Sequence, residues 1–286
     1  GSARALRDHA RHVPVDLATT IIDTCGTGGD QSGTFNVSTT VAFVVAAAGV
    51  KVAKHGNRAS SSLCGSADVL EALGVRIELS PEGVCRCIEE VGVGFMFAPA
   101  FHPAMKHVAA IRLDLKVRSI FNLLGPLVNP ARVERQLVGV FAPDLTETIA
   151  HVLHRLGSKR AMVVSGYGGL DELTITGLTH ISELSNEEVR TYDIDPRSLG
   201  LRTASVLDLQ GGNAQENADI LKGILEGAVK DVRRDMILLN SAAALLIGEA
   251  VDSMPEGIEL ASNILDTGRA AEKLRLLIKI SQESAA

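Results

Sequence analysis

The stretch Thr19-Thr-Ile-Ile-Asp-Thr-Cys-Gly-Thr-Gly-Gly-Asp-Gln-Ser-Gly-Thr-Phe-Asn-Val-Ser-Thr-Thr40 decides the fold class. Thr19–Asp23 is rich in β-branched residues and reads as a strand, Cys25–Gly33 as a glycine-rich loop. Asn36 to Ser38 then open a helix that runs into the apolar stretch Val41–Val50. Strand, loop and helix in that order make a βα unit, and the rhythm repeats outward from it. Lys51–Lys54 reads as a second strand, His55–Gly65 as a loop, and Ser66–Leu73 as a helix that Gly74 ends. Pro81 starts a helix to about Val91, and Phe95–Ala98 is a buried strand. Gln136–Phe141, Leu145–Leu156 and Ala161–Val164 continue the alternation. The expected class is α/β, a mostly parallel central sheet flanked by helices on both faces.

Some stretches depart from that rhythm. Ala3–His12 reads as a short helix with no helical partner before it, behind a Gly1-Ser2 pair that reads as a remnant of tag cleavage. His102–Val117 reads as helical, and Phe121–Pro130 carries two prolines and Gly125, which force irregular backbone. Ile181–Ile194 reads as two short strands forming an antiparallel edge. Three helices close the chain, near Asn213–Glu226, Asp231–Gly248 and Pro255–Ile280.

Composition narrows the function. With 46% hydrophobic residues in 286, the chain can bury a core, and disorder is excluded. It has no Trp, two Tyr and seven Phe, too few rings for a base-stacking or sugar-stacking module. A formal charge of −6 opposes general binding to nucleic acid or to an anionic membrane. The longest apolar run, Val41–Val50, is half of what a membrane span requires. Cysteines 25, 64, 85 and 87 form no disulfide framework and read as reduced thiols of a cytoplasmic protein. Cys85 and Cys87, two apart on a helix, point to different faces.

Four segments carry chemistry. Gly26, Gly28 and Gly29 allow backbone N–H groups to converge on an anion at the positive end of the next helix, where Asn36, Ser38 and Thr39 add donors. Taken alone, this loop reads equally well as an ordinary βα turn. Lys54 and Arg58 suit phosphate oxygens, and Asn57 both donates and accepts; His55 reads as a structural loop histidine. Asp171 and Glu172, behind a glycine-rich turn, are hard oxygen ligands for Mg2+, or else two solvated turn acids. His102 and Arg112 could face a carboxylate-bearing substrate, or lie on a basic surface helix. The phosphate cradle, the two cations and the carboxylate pair together describe a Mg2+-chelated polyphosphate. No serine elbow, zinc-helix motif or P-loop is present. Cys25 has no apparent partner base, so no catalytic nucleophile is expected.

The strings GTGGD (26–30), NVST (36–39), KHGNR (54–58), GSADVLEALG (65–74), FAPAFHPAMK (97–106), FNLLGPLVNP (121–130) and GLDEL (169–173) resemble, in order, the anthranilate phosphoribosyltransferase family. The resemblance implies transfer of the phosphoribosyl group of 5-phosphoribosyl 1-pyrophosphate (PRPP) to the amine of anthranilate. The products are N-(5-phosphoribosyl)anthranilate and pyrophosphate, in tryptophan biosynthesis. It also implies a fold like that of the pyrimidine nucleoside phosphorylases. A small helical domain would comprise residues 3–18 and about 99–125, and an α/β PRPP-binding domain residues 19–98 and about 126–286.

Carried over by position, Gly26, Thr27, Gly28, Gly29, Asp30, Thr34, Asn36, Ser38, Thr39, Lys54, His55, Gly56, Asn57 and Ser66 would contact PRPP. Gly26, Asn57, His102, Arg112 and Pro126 would contact anthranilate. Ser38, Asp171 and Glu172 would serve Mg2+, two ions per site bound with PRPP. The family carries further helices before the segment matching Ala3–His12, so the small domain is expected to be incomplete and the family homodimer weakened. A phosphorylase of the same fold, using phosphate in place of PRPP, is the alternative enzyme. A non-catalytic nucleic-acid binder is the alternative outside enzymes.

Overall fold

The computed structural model describes residues 1–29, 32–59, 63–106 and 119–284. One seven-stranded sheet organises the chain, in the order β3-β2-β1-β4-β5-β6-β7. The strands are β1 Ile21–Gly26, β2 Lys51–Gly56, β3 Val93–Phe97, β4 Arg135–Gly139, β5 Arg160–Gly166, β6 Thr179–Ser185 and β7 Glu188–Ile194. The first five are mutually parallel, and β6 and β7 continue the sheet antiparallel, as the polar alternation of Ile181–Ile194 predicts. From β1 the chain steps outward to β2 and β3, then returns to β1's other side with β4. The strand order therefore reverses between β1 and β4, and the crevice beyond their carboxyl ends is where open α/β sheets bind ligands.

Alternation along β4 and β5 produces two buried faces. Leu137, Met162 and Val164 join the larger core, and Val138, Val140, Ala161 and Val163 the smaller one. On the larger side α2 (Val37–Ala47) is buried almost all round, as a central helix must be when apolar on every face. With it lie α3 (Ser66–Ala72), α4 (Pro81–Val91), α6 (Ala214–Leu225), α7 (Val232–Ile247), α8 (Met254–Asp266) and α9 (Arg269–Glu283). On the smaller side α5 (Thr146–Arg155), α1 (Ser2–Asp8) and the turns at Phe121–Leu127 cover the sheet. The start of α4 is legible in its sequence: Ser80 Oγ accepts from Gly83 N at 3.2 Å, and Pro81 opens the helix. It stops where Gly92 takes φ +92°.

The structure moves several boundaries. β1 and β2 run on into segments that read as loop, because parallel pairing continues there: Cys25 and Gly26 pair with Val138 and Gly139, and His55 and Gly56 with Met96 and Phe97. His55 is thus a strand residue. The first helix ends at Asp8, after which Arg11 N bonds to Phe101 O and draws the chain away. His102 is not helical (φ −120°, ψ 69°), since Pro103 after it disfavours the α conformation. Residues 107–117 of that expected helix lie outside the described residues. The segment Pro255–Ile280 is two helices, α8 and α9, because Gly268 adopts φ +71° between them. Cys87 is buried, while Cys85 is half-buried on the other face, with its thiol donating to Pro14 O.

Candidate active site

The chemistry-bearing segments meet at the β1/β4 crevice. Beyond β1, Thr27 N bonds to Gly139 O at 2.9 Å, and Gly28 and Gly29 take φ of +64° and +78°, a conformation that favours glycine. Asn36 precedes α2 but does not cap it with its side chain. Its amide is engaged with Cys64, donating to the carbonyl and accepting from the thiol. The positive end of α2 therefore faces the crevice.

That end is met by the acidic pair. Asp171 Oδ2 accepts from Gly28 N at 2.7 Å, and Glu172 Oε1 accepts from Ser38 N at 3.3 Å. Two carboxylates thus lie against the N–H groups of the glycine loop and of the first turn of α2. Their own segment is fixed from behind by Asn240 of α7. Its amide accepts from Leu173 N at 3.1 Å and donates to Leu173 O at 2.8 Å. The visible signal for Asn240 is the polar pair Asn240-Ser241 inside the otherwise apolar run Met236–Ile247.

Lys54 and His55 are neighbours on β2 and diverge. Lys54 is 3% exposed, and its Nζ donates to Thr24 O and, at 3.1 Å, to Ser38 Oγ. Burial pushes its ammonium pKa down, while Asp23, Cys25, Glu172 and Asp171 favour its charge. Burial raises the Asp23 carboxyl, against the pull of Lys54 and a 2.7 Å hydrogen bond from Asn129 Nδ2. Asn129 also donates to Ala53 O, tying the turn that follows Pro126 to β1 and β2. Cys25 is buried; burial, then Asp23, holds its thiol well above the usual range.

His55 points the other way. Its Nδ1 lies 3.2 Å from Gly125 O, and its ring meets His102 edge-on with centroids 5.0 Å apart. Pro126 is buried beside them, its carbonyl accepting from Gln136 Nε2 at 2.8 Å. His55 Nε2 is buried without a hydrogen-bond partner among the described residues, while the backbone of Val128 favours the charged form of the His102 ring against its burial. An unpaired nitrogen such as His55 Nε2 suits a ligand-facing pocket. Burial, then His102 and Lys54, lower the His55 pKa to about 3, and burial lowers that of His102.

The pH consequence has a definite sign. An unfolded chain takes up a proton near pH 6.5 that folded His55 refuses, so stability is lost as pH falls from about 6.5 towards 3. The loss is about 1.4 kcal/mol per pH unit for one group. Urea midpoints of the unaltered protein should fall more steeply between pH 7 and pH 5 than those of His55→Gln. That amide retains a donor for Gly125; parallel slopes would refute the assignment.

The remaining candidates scatter. Thr39 Oγ1 and Thr27 Oγ1 are buried and unpaired among the described residues. Thr34 pairs with Gln210 in an isolated antiparallel bridge. Asn57 is exposed at the β2–α3 turn, where its carbonyl accepts from Ser66 Oγ at 3.3 Å. A Cβ on Gly56 would stand 2.2 Å from Ser66 Oγ, which can rotate, and 2.8 Å from the Phe95 ring. Arg58 is not available for phosphate in this arrangement. It is paired with Asp68 at 3.0 Å and Glu71 at 2.6 Å, and lies over the Phe97 ring. Asp30 and Arg112 fall outside the described residues. Asn129, Gln136, Asn240 and Gly139 support the site and are not among its sequence candidates; of these only Asn129 lies in one of the quoted strings, FNLLGPLVNP.

The donor set around Ser38, Asp171 and Glu172 is oxygen only, which suits Mg2+. Among the described residues, no group of three or more His, Cys, Asp or Glu side chains could hold a metal unaided. A site of this kind needs substrate phosphates to complete the coordination. No helix among the described residues is long and apolar enough to cross a membrane.

The model of the glycosyl transferase family, a/b domain, matches residues 18–271. The chain is 54% identical over 282 residues to the anthranilate phosphoribosyltransferase of Alkaliphilus metalliredigens, covering 99% of this chain and 83% of that one. Among solved structures it is similar to the anthranilate phosphoribosyltransferase of Thermus thermophilus. The TM-score there is 0.93 at 44% identity, covering 98% of this chain and 83% of that one. The Saccharomyces cerevisiae enzyme in complex with PRPP and Mg gives a TM-score of 0.90 at 31% identity, over 99% and 79% of the two chains.

Proposed function

Because this chain belongs to the anthranilate phosphoribosyltransferase family, we propose that its convergent segments divide one reaction between a PRPP half and an anthranilate half. The chain is a pentosyltransferase of tryptophan biosynthesis that moves the phosphoribosyl group of PRPP to the amine of anthranilate and releases pyrophosphate. The observation that carries the division of roles is the pair of hydrogen bonds from Gly28 N to Asp171 and from Ser38 N to Glu172. They bring a glycine loop, a helix N-terminus and two carboxylates to one point.

In this reading Gly26, Thr27, Gly28, Gly29, Asp30, Thr34, Asn36, Ser38 and Thr39 surround PRPP, with Lys54, His55, Gly56, Asn57 and Ser66 along β2 and the turn after it. Asp171, Glu172 and Ser38 Oγ hold Mg2+, two ions for each PRPP, which supply charge neutralisation for the departing pyrophosphate. Lys54, fixed between Thr24 O and Ser38 Oγ, keeps a positive charge beside the same leaving group. His102 and Pro126, packed beside His55 on the face of β2 opposite Lys54, receive anthranilate together with Gly26, Asn57 and Arg112. Arg112 faces its carboxylate.

An aryl amine is neutral at pH 7, so its lone pair needs no strong base. The protein's task is to align that amine with the ribose C1 and to exclude water. With Cys25 held as a thiol, displacement proceeds without a covalent enzyme intermediate. In this reading His102 orients the amine or takes its proton late. Residues 3–18 with about 99–125 form the smaller part in this reading, and the chain pairs as a homodimer like the family's.

The decisive experiment is a steady-state assay of this chain with PRPP, Mg2+ and anthranilate, following N-(5-phosphoribosyl)anthranilate by fluorescence, alongside light scattering. Arg112→Ala should raise the KM for anthranilate at least about tenfold, the cost of one charged hydrogen bond, with the KM for PRPP within twofold. Equal effects on both would move Arg112 out of the acceptor site.

A further inference from the structure

The strands that meet at the crevice end on glycines for a reason unrelated to backbone conformation. Gly26 closes β1, Gly139 closes β4 opposite it in register, and Gly166 closes β5. None of the three has positive φ, whereas thirteen other described glycines do. What they share is the Asp171–Glu172 segment lying across them. A Cβ on Gly139 would stand 1.5 Å from the carbonyl oxygen of Asp171 and 2.2 Å from its carbonyl carbon. On Gly26 it would stand 2.2 Å from Asp171 Oδ2, and on Gly166 it would stand 2.7 Å from the carbonyl oxygen of Glu172.

The contacts differ in kind. At Gly26 the nearest atom is the tip of a side chain, which a rotation can move. At Gly139 it is backbone, and the same segment is tethered two residues on, where Asn240 holds Leu173, so a rotamer change gives no relief. Restoring van der Waals contact from 1.5 Å requires the Asp171 backbone to rise by about 2 Å. That displacement exceeds what a metal-ligating or catalytic group tolerates.

We propose that Gly139 is a positioning residue for the acidic pair: the missing Cβ at the end of β4 sets how closely Asp171 and Glu172 approach the glycine loop and the start of α2. Gly166 does the same, less stringently, for Glu172. The inference rests on Asp171 and Glu172 being the Mg2+ ligands.

The test uses Mn2+ as the spin-active substitute for Mg2+ in the presence of PRPP, with free ion counted by electron paramagnetic resonance. Gly139→Ala is expected to raise the Mn2+ dissociation constant at least about tenfold and lower kcat/KM about a hundredfold. The KM for anthranilate at saturating metal should stay within twofold. A protein that melts cooperatively yet binds Mn2+ as tightly as the unaltered chain would overturn the proposal. Should Gly139→Ala fail to fold, Gly166→Ala decides: a three- to tenfold weaker Mn2+ affinity supports it, and no change refutes it. Asp171→Asn with Glu172→Gln, measured alongside, separates the two ideas. If that variant keeps full Mn2+ affinity, the ligand assignment itself fails; if it loses affinity while Gly139→Ala does not, only the role of Gly139 is wrong.

Discussion

Asp171→Asn combined with Glu172→Gln is expected to cut kcat/KM by about a thousandfold or more, the scale seen when charge stabilisation of a transition state is lost. The amides keep the shape of the acids, and their carbonyl oxygens can still accept from Gly28 N and Ser38 N, the two bonds that seat the segment. What disappears is negative charge. The thermal midpoint should therefore move little, while the dependence of rate on Mg2+ flattens. Titrating rate against Mg2+ for both proteins checks this; an unchanged metal response in the variant would remove the carboxylates from the metal site.

Lys54→Met is expected to damage both fold and activity. The ammonium is buried beside Asp23, which is fully buried and accepts from Asn129 and from His55 N. Deleting one partner of a buried charge pair typically costs 3–5 kcal/mol, about the range expected here from denaturant midpoints at pH 7. The loss should shrink in acid. Burial already raises the Asp23 pKa and Lys54 opposes that rise, so without Lys54 the carboxyl takes up a proton at higher pH. A carboxyl with raised pKa weakens the fold above its folded value and ceases to do so below its unfolded one. The deficit of the variant should accordingly be smaller at pH 5 than at pH 8. A deficit that grows in acid would show that Asp23 and Lys54 are not coupled.

Sequence made the βα rhythm and the chemistry-bearing segments legible because both are local. Glycines at 26, 28 and 29, an Asp-Glu pair behind a glycine turn, and Lys54 at the end of a strand are readable in short windows. What depended on a neighbour in space was not. The strands extend to Gly26 and Gly56 because partner strands continue the pairing, which no single segment reports. Arg58 looks like a free phosphate ligand until Asp68 and Glu71 on the next helix claim it. Pro255–Ile280 keeps helical periodicity across Gly268, where the positive φ breaks it in two. Gly139 ends the string Arg135-Gln-Leu-Val-Gly139 like any strand terminus, and its purpose belongs to a residue far along the chain.

The opposite outlooks of Lys54 and His55 bear on how this protein tolerates change. Adjacent strand residues face opposite sides of a sheet, so a slip of one position in β2 exchanges every side chain between the two. An imidazole would then stand where the ammonium meets Ser38, and a lysine would be forced under the Gly125 carbonyl. The pairing of Val52 with Val93 through Gly56 with Phe97 holds that alignment. Insertions or deletions between Lys51 and Gly56 should accordingly be far rarer among functional variants than substitutions. Length, more than side-chain identity, is what that strand is least free to alter.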